Sequence, residues 1–285
     1  PPIKGNENPH CLVYRTLEDL DSIRASADGV KTGVVVGGGL LGLEAANALK
    51  SLGLDAHVVE FAPRLMPVQL DSDGGALLKR KIEELGVQVH TEKATTEIVE
   101  GEEARLRMNF SDDTHLETDL IVFSAGIRPQ DALARSSELA MGERGGIVIN
   151  DQCTTSDPHI HAIGECALWS EKIFGLVAPG YTMARTLASV LNGDTEAAFT
   201  GADMSTKLKL LGVDVGSIGD AHAQTPGARN IRFNDEQAGH YRRMVISEDG
   251  KALLGAILVG DNSHYDTLLQ YALNGIELPE NPETL

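Results

Sequence analysis

No apolar run in the 285 residues approaches the roughly 18–20 that a membrane-spanning helix needs. The chain does not open with a basic segment followed by an apolar one, the mark of a secretory leader. Cysteine is scarce: Cys11, Cys153 and Cys166 are too few for a disulfide framework in a chain of this length. They show no C-x-x-C spacing, and no set of four thiolates exists to hold an iron–sulfur cluster. The nine histidines include no H-x-x-x-H pair, so no metal site is expected. Basic charge is also short. Lys plus Arg is 24 against 42 Asp plus Glu, a net charge of −18, with no Lys/Arg run of five or more. Nucleic acid and anionic membrane surfaces both demand a basic footprint, so neither is expected as a general partner. What remains is a soluble protein of a reducing cytoplasm. Its 42% hydrophobic content is enough for a real core and excludes global disorder.

The first third of the chain alternates strand and helix signals. His10–Tyr14 is a short apolar strand candidate. Thr16 is an N-cap, with Asp19 in capping-box position. Thr32–Val36 reads as a buried strand, Leu40–Leu52 as an Ala/Leu-rich helix closed by Gly53, and Ala56–Glu60 as a second strand. Asp71–Leu85 is amphipathic and stops at Gly86, and Val87–His90 is a third strand. Short β-α-β-α-β connections predict a parallel sheet with right-handed crossovers. An antiparallel meander follows at Thr95–Val99, Arg105–Phe110 and Thr114–Glu117, then the apolar strand Leu120–Phe123. From about Pro129 a different unit begins, with a helix at Asp131–Leu139, strands at Ile147–Ile149 and Ile160–Ile163, and a helix from about Pro179 to Leu191. After about Ala202 the chain is strand-rich and ends in a helix at Ser263–Leu273.

Gly37-Gly38-Gly39-Leu40-Leu41-Gly42 contains G-x-G-x-x-G between a strand and a helix, the context that gives this motif meaning. Gly37 permits the tight turn, Gly39 lets backbone approach a pyrophosphate, and Gly42 allows close helix–strand packing. The helix start at Leu40 and Leu41 supplies free N–H groups and the positive end of the helix dipole. A carboxylate is expected about 20 residues on, to take the adenosine ribose hydroxyls. Glu60 stands there and disfavours a 2′-phosphate, so NAD(H) is expected over NADP(H). Arg64 reads either as a solvated loop charge or as a group able to accept that phosphate.

A second segment, Thr155–Cys166 (TSDPHIHAIGEC), runs a strand into Gly164 and Glu165. By spacing alone this is either an ordinary turn with a surface acid or a place where backbone and carboxylate meet a polyol. The pattern resembles the second flavin-binding segment of the pyridine-nucleotide-disulfide-oxidoreductase-like superfamily. There the matching acid, usually Asp, binds the ribityl chain of FAD. Ser124–Pro129 (SAGIRP) is similar to the segment that closes the NAD domain, with Gly126 beside NAD. Gly175–Pro179 leads into a helix which, in that superfamily, points its N-terminus at the flavin pyrimidine edge.

The stretches YRTLEDLDSI, VVGGGLLGLEAANALKSLG, HVVEFAPRLM, GGIVIND, AIGECA, FGLVAPGY, KLKLLGVDVGSIGDAH, TPGAR and LPENP together resemble one family, the large subunit of assimilatory-type NADH-dependent nitrite reductase. The resemblance covers essentially the whole chain. It implies an α/β fold: a Rossmann-like NAD domain at 16–128, a partial FAD domain at 1–15 and 129–200, and a small C-terminal α+β domain at 201–285. It also implies a central fragment, which the loop-like, Met-less opening Pro1-Pro2-Ile3-Lys4-Gly5 supports. In the family NADH passes a hydride to FAD, and electrons move on through iron–sulfur centres to sirohaem, where nitrite becomes ammonia. Those metal domains and a small subunit are partners expected outside this sequence, and a homodimer is a further expectation. Arg15 resembles a residue of the FAD-to-NAD crossover, its other reading being a helix-start surface charge. Glu44 falls near where nicotinamide stacks, or is a helix-face charge. No catalytic residue is assigned: His222 and His264 lack the Glu five residues on that marks glutathione-reductase-like enzymes. The other readings are an FAD-dependent NADH:rubredoxin or ferredoxin reductase, and an NAD-binding module without catalysis.

Overall fold

The chain is seen in a computed structural model that describes residues 2–284. Pro1, part of the loop-like opening, lies outside them. Two compact units form. One joins the residues up to Gly126 with those from Ser205 onward, and the other is Ile127–Met204.

The first unit begins with β1 (Cys11–Val13), α1 (Leu17–Ser26), β2 (Thr32–Val36), α2 (Leu40–Ser51), β3 (Asp55–Val59), α3 (Ser72–Glu84) and β4 (Gln88–His90). It continues with β5 (Thr95–Glu100), β6 (Leu106–Phe110), β7 (His115–Thr118) and β8 (Leu120–Phe123). The strand order β1-β8-β2-β3-β4 is parallel throughout, and β5-β6-β7 form an antiparallel sheet of their own. Successive side chains of a strand point to opposite faces. Val35, Val58 and Val122 accordingly join Leu43, Leu49, Leu78 and Ile82 of α2 and α3. Their neighbours Val34, Val59 and Ile121 meet Ile98, Met108 and Phe110 of the meander. Both faces are therefore dry, which is why these strands read as unbroken apolar runs. Thr16 and Asp19 complete the capping box of α1.

The segment 1–15, expected with the flavin part, contributes a short strand among its described residues. Cys11–Val13 pairs with Ile121–Phe123 and forms the edge of the parallel sheet. A three-residue apolar strand satisfies its backbone groups only on an existing ladder, and β8 offers one.

The second unit holds α4 (Ala132–Ser136), β9 (Ile147–Ile149), β10 (Ala167–Trp169) and α5 (Val177–Leu191). Strands β9 and β10 pair in parallel. Ile149, Cys153, Ala162, Ala167, Phe174, Met183 and Phe199 make its core. Two expectations fail here. No strand forms at Ile160–Ile163, where Thr154 and His161 make only an isolated bridge and Ile160 is exposed. The pairing strand is Ala167–Trp169, after a 3-10 turn at Gly164–Cys166. The helix expected at Asp131–Leu139 shrinks to five residues, with Leu133 82% exposed and so without packing to extend it.

The chain closes the first unit with β11 (Thr206–Leu210), β12 (Val213–Gly219), β13 (Arg229–Asp235), β14 (His240–Ile246), β15 (Leu253–Val259) and α6 (Tyr265–Asn274). The antiparallel order is β11-β12-β15-β14-β13. One face packs α6 through Met244, Leu258 and Leu268. The other sends Val215, Tyr241, Ile257 and Val259 into the core that α2 and α3 share with the parallel sheet.

Candidate functional site: a dinucleotide cradle

At the carboxyl end of β2 the chain turns through Gly37, whose φ of +118° an L side chain rarely adopts. A Cβ there would also strike the Ser124 carbonyl at the end of β8. The Gly37 N–H donates to Val59 O at 2.8 Å, which ties the turn to β3. A Cβ on Gly42 would collide with the Gly37 carbonyl oxygen, so α2 lies close against the turn. Gly39 is the N-cap of α2 and brings no side-chain cap; a Cβ on it would meet nothing within 4 Å. Space is therefore open at Gly39, at the positive end of the helix, where the N–H groups of the first turn have no partner further along the helix. That is the local geometry of an anion site.

Glu60 follows β3 and is half-buried. Its Oε2 accepts from the Gly38 N–H at 2.6 Å and its Oε1 from the Ala62 N–H at 2.7 Å. These are charge-assisted bonds, and each oxygen keeps a lone pair for a hydroxyl. The carboxylate thus lies against the glycine turn and fixes it. Beyond Glu60, the loop 61–70 returns to the same turn: Met66 N donates to Gly38 O at 2.9 Å, and Leu65 packs against Gly38. Arg64 is half-buried and turned toward its own loop. Its Nε donates to Leu70 O at 2.9 Å and its Nη2 to Pro67 O at 3.5 Å, bracing its own loop.

Spacing did not show a histidine pair beside Glu60. His57 Nδ1 and His90 Nε2 lie 3.0 Å apart with rings stacked at 4°, and the Glu60 N–H donates to His90 O. Burial pushes both imidazoles below their ordinary value, and His57, Lys79 and Lys93 lower His90 further. His57 Nε2 is 3.6 Å from Asp55 Oδ2, beyond hydrogen-bond range, and has no hydrogen-bond partner.

Gly126 has a φ of +90° with open space around it, two residues past Ser124. Arg15 leaves the same end of the sheet after β1, is 66% exposed, and lies 3.8 Å from Asp19. Glu44 is exposed on α2. The structure therefore brings Gly37, Gly39, Leu40, Leu41, Gly42 and Glu60 into one cradle, and leaves Arg15 and Glu44 as exposed charges.

In the second unit Gly164 has a φ of +78° with nothing within 4 Å of its Cβ position. A Cβ on Gly180 of α5 would lie 3.4 Å from Gly164 Cα, and one on Gly175 would be 3.9 Å from Glu165 Oε1. Gly164 and exposed Glu165 thus sit by the start of α5, whose N-cap Leu176 carries no side-chain cap. Cys153 is buried, and burial raises its thiol pKa; burial pushes that of Cys11 to about 11. Neither has the lowered value of a reactive thiolate. Among the described residues, no group of three or more His, Cys, Asp or Glu is arranged for a metal, and no helix is long and apolar enough to cross a membrane.

A glycine cradle on a parallel sheet, with an antiparallel meander and a strand-rich C-terminal domain, defines the class of pyridine-nucleotide-binding oxidoreductases. The chain belongs to the pyridine nucleotide-disulphide oxidoreductase family, which it matches over residues 1–193. Residues 205–276 match the rubredoxin NAD+ reductase C-terminal domain. The chain is 61% identical, over its whole length, to the nitrite reductase (NADH) large subunit of Escherichia coli, of which it covers 34%. It is 38% identical over 98% of its length to the nitrite reductase [NAD(P)H] of Bacillus subtilis, again covering 34%. The chain thus spans about a third of the length of these relatives. A NAD-dependent persulfide reductase from A. fulgidus shares the fold, with a TM-score of 0.84 at 24% identity over 97% of this chain and 55% of that one.

Proposed function

We propose that this chain is the NADH-oxidising flavoprotein part of a nitrite reductase large subunit. The observation that carries the reading is the Gly37–Glu60 cradle, in a chain 61% identical from end to end to such a subunit. NADH is the substrate. The N–H groups of Leu40, Leu41 and Gly42, with the open backbone at Gly39, take its pyrophosphate. Glu60 takes the adenosine ribose hydroxyls, and its charge disfavours a 2′-phosphate. Arg64 Nε is bonded into its own loop, which supports a preference for NADH over NADPH. Gly126 borders the bound nucleotide, and Glu44 lies toward the nicotinamide.

The residues of the second unit fit part of a flavin site. Gly164 gives backbone room, Glu165 offers a carboxylate to the ribityl hydroxyls, and the uncapped start of α5 offers N–H groups to the pyrimidine edge. Arg15 is the cation assigned to the flavin side. When bound, FAD accepts the hydride of NADH and releases electrons singly. On this reading residues 129–200 carry the flavin part, 16–128 the NADH part, and 201–285 the C-terminal domain. Iron–sulfur and sirohaem domains and a small subunit would complete nitrite reduction to ammonia, in a homodimer. The cytoplasm is the compartment that suits three unpaired thiols.

The match of residues 205–276 favours a second reading, an FAD-dependent rubredoxin- or ferredoxin-type reductase. Fluorescence titration with NADH tests the cradle, and saturable binding is expected. Absence of binding sinks the reading. Recovery of NADH-dye reductase activity on adding FAD separates an oxidoreductase from an inactive binding module. Ammonia production from nitrite by the longer protein separates the nitrite from the rubredoxin reading.

A further inference from the structure

The loop 61–70 forms one wall of the cradle and is held from two sides. On the inner side Met66 and Leu65 meet Gly38, and Ala62 meets Glu60. Met66 has a φ of +48°, a conformation that non-glycine residues keep only where their surroundings enforce it. The outer side is enforced by the C-terminal domain. Val68 O accepts a hydrogen bond from His222 Nε2 at 2.7 Å. A carbonyl can only accept, so the proton sits on Nε2. His222 belongs to the turn after β12, which Asp220 shapes by accepting from the N–H groups of Gln224 at 2.8 Å and Thr225 at 2.7 Å.

At the loop's far end, Asp71 caps α3 by accepting from Gly74 N at 3.0 Å. Its other oxygen accepts from Tyr241 Oη at 2.6 Å and Arg243 Nη1 at 3.1 Å. Arg243 is in turn oriented by Asn230 Oδ1 at 2.7 Å. Asp71, Tyr241 and Arg243 are all buried, at 9%, 3% and 7% exposure. Burial and the neighbouring carboxylate push the Tyr241 hydroxyl well above its ordinary value, so it stays a donor.

We propose that the C-terminal domain is a positioning element for the NADH site: His222, Tyr241 and Arg243 latch the 61–71 loop, and through it set Gly38 and Glu60 for the adenosine half of the dinucleotide. The inference rests on the reading of the cradle as an NADH site. The latch acts on the wall next to Glu60, so its loss falls on the adenosine half and spares the nicotinamide half.

The test is titration of the full chain with NADH, ADP-ribose and reduced nicotinamide mononucleotide. In His222→Ala the dissociation constants of NADH and ADP-ribose should rise about tenfold, the size of one lost hydrogen bond to the loop, and that of the mononucleotide should not move. His222→Gln, whose amide can donate to Val68 O, should restore both to within about twofold. Tyr241→Phe, which removes one donor to Asp71, should repeat the selective loss. Unchanged NADH binding in His222→Ala and Tyr241→Phe overturns the latch. Equal weakening of all three ligands overturns it too, because that is the mark of general destabilisation. If the unsubstituted chain shows no saturable NADH binding, the site reading itself falls, and this inference with it.

Discussion

The two units carry comparable signals in sequence, a glycine turn followed by an acid, yet they support them differently. Around Gly37 and Glu60 the sheet is buried on both faces, and the acid is bonded to the turn it accompanies. Around Gly164 and Glu165 the strands are three residues long, and Val177 and Tyr181 at the start of α5 are 70% and 61% exposed. Glu165 is exposed, with Gly175 backbone beside it. A nucleotide site is preorganised to the extent that its donors are fixed before the ligand arrives. By that measure the turn at Gly37 is held more firmly than the turn at Gly164.

The contrast can be broken most forcefully at the buried latch. Asp71→Ala leaves the buried Arg243 without its carboxylate and α3 without its cap, and should cost the first unit about 3–5 kcal/mol. Denaturant unfolding followed by far-UV circular dichroism measures it, and a loss below about 1 kcal/mol would show that the network is not integral. Gly37→Ala adds a Cβ at positive φ against Ser124 O and should cost about 2–4 kcal/mol, expressed as loss of measurable NADH binding. Glu60→Ala should weaken NADH by about 1–3 kcal/mol, because ribose bonds and the anchor on Gly38 go together. An unchanged dissociation constant would place the carboxylate away from the ribose.

A smaller effect comes from acid. His57 and His90 titrate below their ordinary value of 6.5 when folded, so as pH falls through about 6.5 the unfolded chain binds more protons than the folded one. Stability is full above that value and is lost below it. The thermal midpoint should drop between pH 7.5 and 5.5, and drop less in His90→Asn. Least of all, Glu165→Ala should leave NADH affinity within about twofold while weakening FAD in the longer protein. An equal loss for both ligands would erase the distinction between the units.

The parallel sheet was legible because strands buried on both faces leave unbroken apolar runs, and the helices between them carry their own caps and stops, such as Thr16 and Gly53. The cradle was legible for a similar reason: the glycine fingerprint is local and Glu60 follows it at the expected distance. Failures came where neighbours decide. Ile160–Ile163 looks like a strand but has no ladder to join, and Asp131–Leu139 looks like a longer helix but buries only Ala134 within its five helical residues. Cys11–Val13 pairs with β8, a partner that nothing within three residues announces. The bond from His222 to Val68 spans 154 residues and leaves no pattern in the sequence. Arg64, by context either a loop charge or a phosphate acceptor, meets the carbonyls of Leu70 and Pro67, which no local pattern announces.

Glu60 holds the glycine turn with one oxygen and its own loop with the other. A change of coenzyme preference is therefore a two-residue problem in this protein. Replacing Glu60 to admit a 2′-phosphate also releases the Gly38 N–H, so a cation placed nearby has to be accompanied by a new acceptor for that group. Variants that supply only the charge should lose NADH faster than they gain NADPH.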